Sequence, residues 1–168
     1  MASNDDDLVG LFQPALLTTA GRPVLLPGEV ERHLLPSVDL EPEPELSSSS
    51  SSFSSLTFPP YKSGLLILTT HRLLWIPSSG AGGAVSVPLS AVTHIFSPKK
   101  SIKSMFHSPR LRFQAALARD SRSMVVTAVA RGKGGVAADM EAFVGKFWEC
   151  WRGRAWEEEA EESREAGR

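Results

Sequence analysis

Between Gly64 and Ala130 the chain carries six short apolar runs at near-regular spacing, and no other feature limits its possible folds so tightly. The runs are "LLIL", "RLLWIP", "AVSVPL", "VTHIF", "RLRFQAAL" and "SMVVTAVA", parted by turn-rich pieces such as "SSGAGG" and "SPKKS". Runs of this kind bounded by Gly, Pro and Ser are strand signals, and six of them within roughly 70 residues suit a small sandwich or barrel. Beyond "RGKGG" the period changes. Val136, Met140, Phe143, Val144, Phe147 and Trp151 fall on the single stripe of an amphipathic helix. Asp139, near its start, complements the positive end of the helix dipole. Strands followed by one helix give an α+β order, a curved antiparallel sheet capped at one end by a helix.

The remainder of the chain adds tails and one insert. Residues 1–9 form an acidic leader with Asp5, Asp6 and Asp7 where a secretory signal would need bases. "GRPVLLPGEVERHLLPSVDLEP" breaks short apolar runs with Pro and Gly, which predicts one or two short strands. From about 42 to 60, Glu-Pro alternation passes into a serine tract with little to bury, a composition that predicts a flexible insert within a domain of residues 10–158. Its serines are also where phosphorylation would add charge. The last residues, 159–168, read as an acidic, solvated tail.

The formal net charge of -1 conceals strong segregation. Residues 46–119 contain no Asp or Glu, yet hold Lys62, Arg72, Lys99, Lys100, Lys103, Arg110, Arg112 and Arg119. A centre so basic attracts polyanions locally even when the whole chain is near neutral. The single cysteine, Cys150, excludes an intrachain disulfide and any CxxC pair, which fits a reducing compartment. No apolar run approaches the roughly 18 residues a membrane-spanning helix requires, so membrane contact would be peripheral.

Catalytic chemistry finds little support. His71, His94 and His107 lie in the acid-free block, where an orienting carboxylate would have to come from outside it, and GxSxG, P-loop and HExxH patterns are absent. The scattered histidines offer no metal site. His71, within "LTTHRLLW", reads as a hairpin residue, with Thr69 and Thr70 supplying the hydroxyls a tight connection favours. Cys150 beside Trp151 reads as a small buried residue. "SPKKSIKSMFHSPRLRF" is the chemically richest stretch. Its Lys99, Lys100, Lys103, Arg110 and Arg112 surround Ile102, Met105 and Phe106, cations for phosphate beside apolar groups for a headgroup boundary. Arg131 and Lys133 add a second basic set between the last strand and the helix. Nucleic acid is the competing polyanion, but a pI near 6.4 and the lack of an RNP strand or helix-turn-helix place it below lipid.

"GLLILTTHRLLWIP" resembles the hairpin of GLUE domains, the split pleckstrin-homology-like module of the ESCRT-II subunit vacuolar protein sorting-associated protein thirty-six. "GRPVLLPGEVERHLL" is similar to that family's first strand, "SPRLRF" to the strand after its basic loop, and "FVGKFWECWRGRAWEE" to its terminal helix. The resemblance implies a pleckstrin-homology-like sandwich and a non-enzymatic, cofactor-free endosomal sorting adaptor, cytoplasmic and peripheral on the endosomal membrane. It further implies phosphoinositide and ubiquitin binding, transport by the multivesicular body pathway, and other ESCRT-II subunits as partners if the chain is part of a longer protein. By that resemblance the lipid site holds Arg110 in "SPRL", with Arg131 and Lys133, and less directly Lys103 and His107; Lys99 and Lys100 extend the basic loop. Fungal members carry inserted zinc fingers, which one cysteine cannot supply. The family also continues into winged-helix domains, so the chain reads as a fragment or a shortened form. The other reading is a ubiquitin-binding protein-interaction module whose basic loops are merely solvated.

Overall fold

The computed structural model describes residues 12–44, 61–78, 83–96, 109–116, 123–132, 135–154 and 156–157. Among these described residues eight strands form one antiparallel sheet: β1 (Gln13–Pro14), β2 (Glu31–Pro44), β3 (Tyr61–Thr69), β4 (Arg72–Pro77), β5 (Val85–Pro88), β6 (Val92–Phe96), β7 (Arg110–Ala116) and β8 (Ser123–Ala130). Their order is β1-β5-β4-β3-β2-β8-β7-β6, and helix α1 (Val136–Gly153) follows β8. The six apolar runs are β3 to β8. This is the expected α+β, pleckstrin-homology-like arrangement.

β2 departs from the sequence reading. In place of one or two short strands there is a single strand of 14 residues. Its first half, from Glu31 to Leu35, pairs with β3 alone, and from Val38 to Pro44 it pairs with β8. The changeover is a bulge, where the register slips between Leu35 and Val38 and Ser37 adopts φ 55. Pro36, which has no ladder proton to give, sits at this break, so "LPSV" bends the strand from one half of the sheet into the other. Pro42 and Pro44 are tolerated because, among the described residues, pairing with β3 ends at Leu40 opposite Tyr61, leaving that flank an edge. The Glu-Pro alternation expected to open the insert is therefore strand through Pro44. Residues 45–60, like the leader and the acidic tail, lie outside the described residues.

Alternate residues fill the space beneath the helix. Leu66, Leu68, Leu73, Trp75, Phe113, Val126 and Ala128 are buried with Met140, Phe143, Phe147 and Cys150 of α1. Burying each such large side chain stabilises by about 1.5–3 kcal/mol. Phe147 meets Phe113 edge-on at 5.6 Å, and Trp151 donates its indole N–H to the Val92 carbonyl at 2.9 Å, fastening the helix across β6. Gly135, at φ 69, starts the helix, and Arg154, at φ 48, ends it by returning its N–H to the Cys150 carbonyl. Among the described residues a small apolar gap lies between the sheet halves, lined by Phe12, Leu66, Trp75, Phe113 and Val126 among others. Its apolar lining offers a polar ligand no partner.

Candidate functional site

The "TTHR" connection is an internal network. Thr69 closes β3 and Arg72 opens β4, with Thr70 and His71 between them. The Thr69 hydroxyl accepts the N–H groups of His71 at 3.1 Å and Arg72 at 3.0 Å, and itself donates to Glu29 Oε2 at 2.5 Å. Thr70 Oγ1 accepts the Val30 N–H and lies 2.7 Å from His71 Nδ1. Arg72 grips Glu29 with both edges, Nε to Oε2 at 2.9 Å and Nη2 to Oε1 at 3.1 Å, while Nη2 also reaches the Val24 carbonyl. Burial alone would raise the Glu29 carboxyl, but hydrogen bonds from Arg72, Thr69 and the Leu26 N–H hold it below its ordinary value. The two threonines act as the hairpin reading expects. The carboxylate at this turn comes from residue 29, outside the acid-free block, and is bound to arginine.

His33 faces the Phe143 ring at 5.8 Å, and His94 faces Phe96 at 4.7 Å. Burial pushes the Cys150 thiol up, away from the thiolate a nucleophile needs. Among the described residues no group of three His, Cys, Asp or Glu could hold a metal ion, and no helix is long and apolar enough to cross a membrane.

Two of the expected lipid-site residues come together. Arg110 opens β7 opposite Val129, near the end of β8, and the Ala130 N–H donates to the Pro109 carbonyl at 3.0 Å. Arg131 follows Ala130 directly, so both arginines occupy the same end of the β7–β8 pair. The Arg131 backbone N–H is bound to Ser37 O at 2.8 Å, at the bulge of β2, and its Nε donates to Asp39 Oδ2 at 3.0 Å. Lys62 Nζ stands 3.7 Å from the same oxygen, and the Ser63 N–H donates to Oδ1 at 2.8 Å. Asp39 is itself buried. Burial raises its carboxyl, while Ser63, Arg131 and Lys62 together bring it below the ordinary value.

Arg112, one step along the same face as Arg110, stacks on Phe96 with its guanidinium carbon 5.4 Å from the ring centre. Residues 97–108 join Phe96 to Pro109, so the basic loop leaves from and returns to this end of the sheet. Lys99, Lys100, Lys103 and His107 on that loop, and Lys133, lie outside the described residues. Sequence reasoning missed Asp39 and Lys62 as neighbours of Arg131, because the contact depends on the bend of β2. Among the described residues the arrangement offers exposed cations around one buried acid, which suits binding an anion.

Comparison with known proteins agrees with this architecture. A family model described as vacuolar protein sorting protein 36 Vps36 matches residues 55–116, a range that takes in β3 to β7. Among solved structures, the chain is similar to the Vps36 N-terminal PH domain, with a TM-score of 0.59 at 17% identity over 85% of this chain and 94% of that one. At that identity the likeness establishes the fold. No curated protein matches. The resemblance drawn from "GLLILTTHRLLWIP" is borne out: the central segment carries the Vps36 signature, and the chain carries the fold of its GLUE module.

Proposed function

We propose that this Vps36-type GLUE module works as a non-enzymatic adaptor of ESCRT-II in endosomal sorting, docking peripherally on membranes by binding phosphoinositide headgroups. One observation carries the reading. Arg110 and Arg131 meet at one end of the β7–β8 pair, where the loop bearing Lys99, Lys100, Lys103 and His107 is also rooted. Arginine binds phosphate bidentately, and several cations converging on a rigid sheet end give a doubly charged headgroup more than one contact. Lys133, two residues beyond Arg131, adds to the same end in sequence. Ubiquitin binding, carriage of cargo by the multivesicular body pathway and assembly with other ESCRT-II subunits enter the proposal on the resemblance to Vps36.

Flotation with vesicles containing each phosphoinositide, beside phosphatidylserine vesicles of matched charge, tests it. Selective binding is expected, weakened by Arg110→Ala by about 1.5–3 kcal/mol, the worth of one charge-assisted contact. Binding that follows total lipid charge and ignores Arg110→Ala would leave a protein-interaction module instead.

A further inference from the structure

Every exposed large hydrophobic side chain among the described residues falls between positions 16 and 34. Leu16 is 74% exposed, Val30 53%, Leu26 49% and Leu34 48%, with Leu17, Val24 and Leu25 close behind. Single exposed leucines need no explanation, but seven exposed apolar side chains in one stretch of the chain are a concentration.

The segment is firmly built. Its first leg pairs with β5 through Gln13 and Pro14, and Ala15 continues that pairing to Ala84 at 2.9 Å. The turn is closed by Thr18, which binds the backbone of Gly21 and Arg22, and Val24 returns its N–H to Leu16 at 2.9 Å. The second leg is pinned where Arg72 holds Val24 O and Glu29 holds Leu26 N–H. Val30 and Leu34 then carry the apolar surface onto β2. Ser37, whose carbonyl holds Arg131, is three residues beyond Leu34, at most about 10 Å away.

We propose that this surface, centred on Leu16, Leu25, Val30 and Leu34, enters the acyl boundary of an anionic bilayer when the headgroup site is occupied. The inference rests on the phosphoinositide reading, because a headgroup held at Arg131 brings the bilayer beside Leu34. Charge agrees. Glu29 is buried against Arg72, leaving Glu31 as the one exposed acid of residues 12–34 beside Arg22 and Arg32. Composition agrees as well, since the surface is leucine and valine, which are scarce among the aromatic and arginine anchors of protein interfaces and suited to burial beneath headgroups flanked by bases.

The test uses vesicles of phosphatidylcholine, phosphatidylserine and phosphatidylinositol 3-phosphate, and inositol 1,3-bisphosphate as the free headgroup. The Leu16→Ser/Leu25→Ser variant, altered at exposed positions only, should bind vesicles at least tenfold more weakly and the free headgroup unchanged. A polarity-sensitive dye on Leu25→Cys should shift to the blue with vesicles and be quenched by spin-labelled acyl chains. Vesicle binding unchanged in the double variant, with an unquenched dye, overturns the insertion. So does a dye shielded without lipid in a chain that sediments as two copies. Failure of the phosphoinositide reading shows elsewhere, as absent headgroup binding and indifference to Arg110→Ala, whatever the dye reports.

Discussion

Arg131 donates its Nε–H to the buried carboxylate of Asp39 across 3.0 Å, so one cation of the proposed headgroup site is already held by an acid of the fold. Asp39 orients Arg131, and with Lys62 on the same oxygen it also offsets the positive potential of that end. Asp39→Asn keeps the size and an acceptor for the Ser63 N–H while removing the charge. It should bind anionic vesicles severalfold more tightly and lose about 1 kcal/mol of stability, a modest figure because Arg131 and Lys62 are half exposed to solvent. Flotation and thermal unfolding of the same variant check both. Weaker vesicle binding would make Asp39 chiefly an orienting group.

Glu29 predicts an acid-sensitive fold. Its carboxyl is held below the ordinary value of 4.5 in the folded chain, so it contributes stability that is fully present above that value. As pH falls through the folded value, the carboxyl protonates and that contribution is lost. Glu29→Gln should flatten this part of the stability profile. At neutral pH it should also destabilise by about 3–5 kcal/mol, because Arg72 then sits in a largely buried site without its counter-charge. Urea unfolding at pH 7 and pH 4 measures both; parallel profiles for variant and parent would remove the pair from the account.

The strands and helix were legible because each obeys a local rule. Alternation in "RLRFQAAL" and the stripe from Val136 to Trp151 need no knowledge of distant partners. β2 was misread because its length depends on two different neighbours, β3 for Glu31 to Leu35 and β8 for Val38 to Pro44, and its prolines looked like breaks. The charge pattern misled for the same reason. A block without acids in sequence is not one in space, since the residues before it lend Glu29 to Arg72 and Asp39 to Lys62. Arg110 and Arg131 could be brought together on paper because each flanks a strand end; that their shared end contains a buried carboxylate could not.

Among the described glycines, Gly64 is the most tightly packed. It lies in β3 beside Pro77, and a Cβ there would drive into the Trp75 indole at well under contact distance. The indole has nowhere to retreat, since its N–H is spent on the Val38 carbonyl at 2.8 Å and the Tyr61 ring stands edge-on at 5.5 Å. Gly64→Ala should therefore cost about 3 kcal/mol or slightly more, the upper range for overpacking a filled core. Trp75→Phe should cost about 0.5–1.5 kcal/mol through the hydrogen bond lost to the Val38 carbonyl, besides the area lost. The smaller ring frees the space a Cβ at position 64 would take, so the double variant should be more stable than the two single losses predict. A double-mutant cycle by urea unfolding reads the coupling directly. Strict additivity would show that the alanine is resisted by the backbone of β3 and not by the indole.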